Sequence, residues 1–247
     1  MTTRKRFGQH FLHDPGVLRR IVEAIDPLRG DAIVEIGPGE GALTRPLLER
    51  VDRLSAIEID RDLAARLAAG FPPARLSIRC ADALAFDFSA FPAGVRIVGN
   101  LPYNISTPLL FHLAGFADRV RDMHFLLQKE VVDRMVAKPS TRAYGRLSVT
   151  LQVRFAMQKL FNVAPGAFRP PPKVDSALVR LVPLPGVAIP GNFADVVRRA
   201  FSARRKTLRN ALELAPAQLD ELGLDHNLRP ENLSPGDYLR ITQACAR

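Results

Sequence analysis

The sequence predicts an α/β fold built on a mostly parallel sheet, followed by a small all-helical domain. Three observations carry this expectation. Short apolar runs alternate with helical patterns from 31 to about 137, with short connections. The first apolar run, at 32–36, feeds a glycine cluster at Gly37, Gly39 and Gly41 and then a helix, the usual way such a fold makes a nucleotide site. Beyond the Pro- and Gly-rich stretch at 184–192, only helical patterns follow.

Taken in order, Arg4, Lys5 and Arg6 precede a polar–aromatic arm at 8–12, whose composition suits a cover over a ligand and a disordered tail equally. Asp14 then reads as an N-cap with Pro15 at the first helical position, opening a helix to about Ile25. After the strand at 32–36 comes a helix at about 42–50, in which Pro46 removes one backbone bond. RLSAIEID forms a second strand ending in Glu58 and Asp60. A helix through Leu63, Ala64, Leu67 and Ala68 then stops at Gly70 and the Pro72–Pro73 pair. RLSIRCA is a third strand, ending at Asp82, and its apolar pattern places Cys80 in the core. A fourth strand ends at Asn100, a helix spans 106–113, MHFLLQ is a fifth strand, and 130–137 is a helix. Residues 144–155 show partial strand alternation, but Leu147, Leu151 and Phe155 keep helical spacing, and a helix is expected. LFNVA and VDSALVRLVPL form an edge hairpin around the rigid PGAFRPPPK. Helices follow at 193–201, 207–214, 216–222 and 235–246, dividing the chain into domains at 1–186 and 187–247.

A chain of 247 residues can bury a substantial core, and its 47% hydrophobic and 24% charged residues suit a folded soluble protein. It has no eighteen-residue apolar run and no signal-peptide layout, so a cytoplasmic location with no membrane partner is expected. Cys80 and Cys245 are too few for a cysteine metal site, and the histidines show no metal-ligand spacing. The formal charge of +10 points to a polyanionic partner. It clusters in Arg198, Arg199, Arg204, Arg205, Lys206 and Arg209, which suit phosphate contacts that position RNA without reading its sequence.

Glu35, Glu58, Asp82 and Asn100 fall at or near the C-terminal ends of four successive strands, the edge where open α/β sheets bind ligands. The glycine spacing is GxGxG, since position 42 is Ala, and not the GxGxxG of a dinucleotide binder. Glu58 lies seventeen residues past Gly41, near the distance at which an acid accepts from ribose hydroxyls, and Asp82 can accept from an adenine amine. Asn100, Leu101, Pro102 and Tyr103 are the sharpest chemical signal. An exocyclic adenine amine is a poor nucleophile because its lone pair is delocalised into the ring. The Asn100 amide oxygen and a backbone carbonyl, most naturally that of Leu101, can take its two hydrogens, while Pro102 fixes the turn and Tyr103 offers a stacking face.

Seven blocks in order, GQHFL, EIGPGEGALT, AIEID, AD, GNLPYN, FRPPPKVDSALVRL and RRKTLRNAL, resemble the ribosomal RNA adenine dimethyltransferase family over nearly the whole chain. Within that family the blocks are most similar to the branch acting near the 3′ end of small-subunit (16S) ribosomal RNA. The resemblance implies a Rossmann-like class I methyltransferase sheet, S-adenosyl-L-methionine as cofactor, and N6,N6-dimethylation of two adjacent adenosines during 30S maturation. It implies Gln9, His10, Leu12, Glu35, Gly37, Gly39, Gly41, Glu58, Ile59, Asp82, Ala83 and Asn100 around the cofactor. It further implies Asn100, Leu101, Pro102 and Tyr103 as the catalytic motif, with Phe168 beside the target adenine. Small-subunit RNA in the assembling 30S particle is the expected partner, with the enzyme acting as a monomer. Alternatives are a large-subunit RNA methyltransferase of the antibiotic-resistance type, an assembly factor acting chiefly by binding, and a DNA adenine methyltransferase, against which the lack of an evident target-recognition domain counts.

Overall fold

The computed structural model describes residues 10–203 and 206–245. A two-residue strand, β1 (Phe11–Leu12), precedes α1 (Pro15–Ile25). The Asp14 side chain accepts from Val17 N at 2.9 Å, as the Asp–Pro signal predicts, and Asp26 ends the helix in the left-handed region. The alternating segment then runs β2 (Ile33–Ile36), α2 (Thr44–Leu48), β3 (Leu54–Glu58), α3 (Arg61–Ala69), β4 (Leu76–Cys80), β5 (Val95–Asn100), α4 (Ser106–Ala114), β6 (Val120–Gln128) and α5 (Lys129–Met135). It continues with α6 (Arg146–Gln152), β7 (Phe155–Val163), β8 (Phe168–Arg169) and β9 (Ser176–Pro183). The helices α7 (Phe193–Ser202), α8 (Leu208–Leu212), α9 (Pro216–Glu221) and α10 (Pro235–Ala244) follow.

Helix α2 is shorter than expected. The bonds Arg45 N to Gly41 O and Leu47 N to Leu43 O flank the one that Pro46 cannot make. The stretch 144–155 is helical over Arg146–Gln152, which holds Leu147 and Leu151, but Phe155, counted in the same spacing, opens β7.

Seven strands form one sheet in the order β4-β3-β2-β5-β6-β9-β7. β2 to β6 run parallel, and β9 returns antiparallel to β6. β1 pairs with β8 in a separate small ladder, Leu12 opposite Phe168. The chain enters the sheet at β2, moves outward to β4, and crosses back to β5 on the other side. That reversal opens a crevice between the C-terminal ends of β2 and β5. β4 lies at the sheet edge, and Cys80 at its end is exposed, correcting the core placement expected of it. An apolar run does not tell an edge strand from a central one.

The chain forms two compact units: one contains the residues up to Val132 together with Met157–Pro183, the other Asp133–Ala156 together with the segment from Leu184 onward. The linker at 184–192 therefore marks one crossing between units, and 133–156, expected in the first domain, belongs by its packing to the second. There Tyr144, Val149 and Val153 join Val196, Val197, Leu208, Leu219, Tyr238 and Ile241 in one core.

Opposite the crevice, at the start of the strands, Arg96 on β5 is buried and uses all five of its N–H donors. Nε and Nη2 meet the two oxygens of Asp122 on β6 at 2.8 and 2.9 Å. Nη1 donates to Asp31 Oδ2 at 2.8 Å and to the Asp26 carbonyl at 3.1 Å, and Nη2 also donates to the Ile25 carbonyl. One guanidinium thus ties the end of α1 to β5, β6 and the turn before β2. His124, beside Asp122, is buried, and desolvation pushes its pKa down to about 4, so it is neutral at physiological pH.

Candidate active site

The crevice opens into a cavity of about 1020 Å³, within the range that holds a cofactor and a reacting base. His10, Leu12, Glu35, Gly37, Gly39, Glu58, Ile59, Asp82, Ala83, Asn100, Leu101, Pro102 and Tyr103 all line it. Gly41 and Phe168 are not among its walls, and Gln9, with Arg204 and Arg205 of the basic run, lies outside the described residues.

Each wall follows from a strand end. β2 delivers Glu35, whose Oε2 accepts from Thr44 Oγ1 at 2.6 Å, and then the turn at Gly37 and Gly39. Both glycines have positive φ, 67° and 56°. A Cβ on Gly37 would meet no protein atom within 4 Å, whereas one on Gly39 would come within 2.9 Å of the Phe11 ring. The arm therefore closes over the glycine turn at van der Waals contact, and Phe11, which the resemblance of the GQHFL block puts near the cofactor pocket, lines the cavity. Gly41, also at positive φ, plays a packing part: a Cβ there would lie 2.5 Å from Leu67 of α3.

At the end of β3, Glu58 is buried and fixed by two backbone donors, Gly39 N on Oε2 and Asp60 N on Oε1, both at 3.0 Å. Ile59 beside it is 46% exposed, a large apolar side chain facing the cavity. Asp82 follows β4 with Oδ1 held by Leu84 N at 2.9 Å, leaving Oδ2 for a ligand. Burial raises both buried acids, Glu35 to about 7, against the opposing hydrogen bond from Thr44, and Glu58 against its backbone donors. Neither has an ion-pair partner among the described residues.

β5 ends in Asn100, whose Nδ2 donates to the His10 carbonyl at 2.9 Å. A carbonyl can only accept, so this bond fixes which way the amide points and leaves Oδ1 free to accept. In the turn that follows, Ile105 N takes the Pro102 carbonyl at 3.2 Å and Ser106 Oγ the Tyr103 carbonyl at 3.0 Å. The Leu101 carbonyl has no hydrogen-bond partner among the described residues. The motif therefore offers two free acceptors, Asn100 Oδ1 and Leu101 O, beside an aromatic ring. Tyr103 lies 5.5 Å from the His10 ring, which itself bonds through Nδ1 to the Pro170 carbonyl at 2.7 Å. Phe168, by contrast, is 2% exposed and packs in the core with Leu12 and Val22.

Gly99 carries no ligand signal in the sequence, yet the site depends on it. A Cβ there would sit 2.6 Å from the Ile36 carbonyl, a backbone atom that cannot step aside without moving β2. We expect Gly99→Ala to cost about 1–3 kcal/mol, read as a lower thermal midpoint, and to reduce activity by displacing Asn100 next to it.

The donor set fits a cationic, adenosine-bearing ligand: two buried acids without basic partners, an apolar platform at Ile59, and a carboxylate oxygen at Asp82. S-adenosylmethionine has these features, a sulfonium and an ammonium on an adenosine. The comparisons agree. A family model described as "Ribosomal RNA adenine dimethylase" matches residues 1–247. The chain is 58% identical over 247 residues to "Ribosomal RNA small subunit methyltransferase A" of Thiobacillus denitrificans, covering 98% of this chain and 97% of that one. It is likewise 58% identical over 249 residues to the protein of the same name from Aromatoleum aromaticum, covering 98% and 94%. Among solved structures, a dimethyladenosine transferase from Plasmodium falciparum superposes with a TM-score of 0.83 at 28% identity, covering 96% and 98%. The 23S rRNA methyltransferase ErmE superposes with a TM-score of 0.73 at 26% identity, covering 96% and 100%. Matched over its whole length, the chain belongs to the ribosomal RNA adenine dimethylase family and is an S-adenosylmethionine-dependent methyltransferase.

Proposed function

We propose that this protein methylates N6 of two adjacent adenosines near the 3′ end of small-subunit ribosomal RNA, giving N6,N6-dimethyladenosines during assembly of the 30S subunit. The observation that carries the chemistry is the pair of free acceptors, Asn100 Oδ1 and Leu101 O, beside Tyr103. Support for the small-subunit substrate comes from the names of the relatives at 58% identity, against 26% for the large-subunit enzyme.

Bound S-adenosylmethionine supplies an electrophilic methyl on sulfur, which leaves as a thioether. The target adenine, turned out of its helix, stacks on Tyr103. Asn100 Oδ1 and Leu101 O accept its two amine hydrogens, which directs the N6 lone pair at the methyl carbon. The new C–N bond forms as the C–S pair passes to sulfur. The N6 proton, made acidic by the added methyl, leaves to water, so no side chain need act as base. Catalysis then rests on alignment.

Arg198, Arg199, Lys206 and Arg209 are exposed and suit contacts to the RNA backbone. Arg198 bonds Asp195 and Arg199 lies 3.6 Å from Glu213, exposed pairs that a phosphate can displace at little cost. The same proposal has the protein acting as a monomer on the assembling particle in the cytoplasm.

The test is methyl transfer from labelled S-adenosylmethionine to undermethylated small subunits and, in parallel, to large-subunit RNA, followed by mapping of the product. Two adjacent dimethyladenosines near the small-subunit 3′ end are expected. Label confined to large-subunit RNA would overturn the substrate, and cofactor binding without label on either RNA would favour an assembly factor acting by binding.

A further inference from the structure

We infer that Ser176, the first residue of β9, is a positioning residue for Tyr103 and that it governs chiefly the second of the two methyl transfers to each adenosine. The inference rests on the adenine-N6 reading above and deepens it.

Ser176 Oγ and Tyr103 Oη share a hydrogen bond of 2.6 Å across seventy-three positions of sequence. Ser176 is fully buried, and its backbone is held in the ladder with β6 opposite Gln128, while Asp175 O next to it accepts from Lys129 N at 2.9 Å. The serine hydroxyl is therefore a fixed point of the sheet. The other end of the tyrosine is fixed by Ser106 Oγ on its carbonyl at 3.0 Å. Held at both ends, the ring keeps its plane before any base arrives. Burial raises the phenol above its ordinary pKa against the opposing bond to Ser176, so the group stays protonated.

The chemistry makes this plane matter unequally. Adenine presents two N–H bonds to two acceptors, and the pair defines the orientation of the amine. N6-methyladenine retains one N–H, so one of the two acceptors loses its partner. In the second transfer the lone pair again attacks the methyl carbon, the C–S pair passes to sulfur, and the remaining proton leaves to water. Its alignment depends on a single hydrogen bond and on the stacking surface. A tyrosine ring free to tilt then costs more in the second step than in the first.

The test follows mono- and dimethyladenosine over time on undermethylated small subunits with the wild-type, Ser176→Ala and Tyr103→Phe proteins and the double variant. We expect Ser176→Ala to slow the second transfer about tenfold, the worth of one hydrogen bond. The first transfer should change less than about threefold, so monomethyladenosine accumulates with little change in KM for the subunits. Tyr103→Phe keeps the ring and the buried serine and should slow the second transfer more than the first, with the double variant no worse than Tyr103→Phe alone. Equal slowing of both transfers in Tyr103→Phe, or losses that multiply in the double variant, would overturn the inference. So would wild-type product ratios in both single variants. Failure of the wild-type protein itself to form dimethyladenosine would overturn the parent reading.

Discussion

Asn100→Ala is expected to lower single-turnover methyl transfer by about 10²–10³-fold while changing S-adenosylmethionine affinity by less than about threefold. The side chain meets the His10 carbonyl through Nδ2 and presents Oδ1 to the cavity. Truncation removes an acceptor from the amine and leaves that carbonyl without its donor. What is lost is alignment of a weak nucleophile. The proposed cofactor contacts lie elsewhere: Glu58, held between two backbone donors, Ile59, and Asp82 in its turn with Leu84. Calorimetric titration of the cofactor beside rapid-quench methylation separates the two effects. Parallel loss of affinity and rate would show that Asn100 acts on the cofactor and not on the base.

Arg96→Met is expected to destabilise the protein by about 3 kcal/mol at neutral pH, since it takes from the buried Asp122 its two short guanidinium bonds, leaving it Arg180 at 3.5 Å, and leaves the half-buried Asp31 with Arg121 alone as cation. For a chain of this size that lowers the thermal midpoint by about 10 °C. The pH dependence gives the cause. Burial pushes the Asp31 carboxyl up, but the Leu28 N–H and the guanidinium of Arg96 outweigh it and hold it below the ordinary carboxylate range. A depressed folded-state pKa stabilises above the unfolded value, about 3.9, and that contribution is lost as pH falls through the folded value. In the variant Asp31 keeps the Leu28 N–H and Arg121 but loses the lowering by Arg96, and the buried Asp122 loses its main cation, so acid costs the variant less. The gap between wild type and variant should therefore narrow from pH 7 toward pH 3. A gap independent of pH would assign the loss to packing alone.

Much of the site is legible along the chain because its signals are local. Asp–Pro caps α1, glycines at positive φ form the turn after β2, and acids or amides close successive strands at Glu35, Glu58, Asp82 and Asn100. Strand period and turn chemistry place all four on one sheet edge before any contact is known. The family blocks add the cofactor and the reaction.

Other features depend on strand order and on partners distant in sequence. Cys80 is exposed because β4 is an edge, and Gly41 serves the packing of Leu67, unlike Gly37 and Gly39 on the same turn. Phe168 is buried because it packs with Leu12 and Val22, far from it in sequence, and 133–156 packs with the C-terminal helices because its apolar side chains complete their core. The direction of the Asn100 amide is set by a carbonyl ninety residues away, and the plane of Tyr103 by a serine on the returning strand. Periodicity fixes which face a residue takes within its own element; which atoms meet that face is decided only when the elements pack.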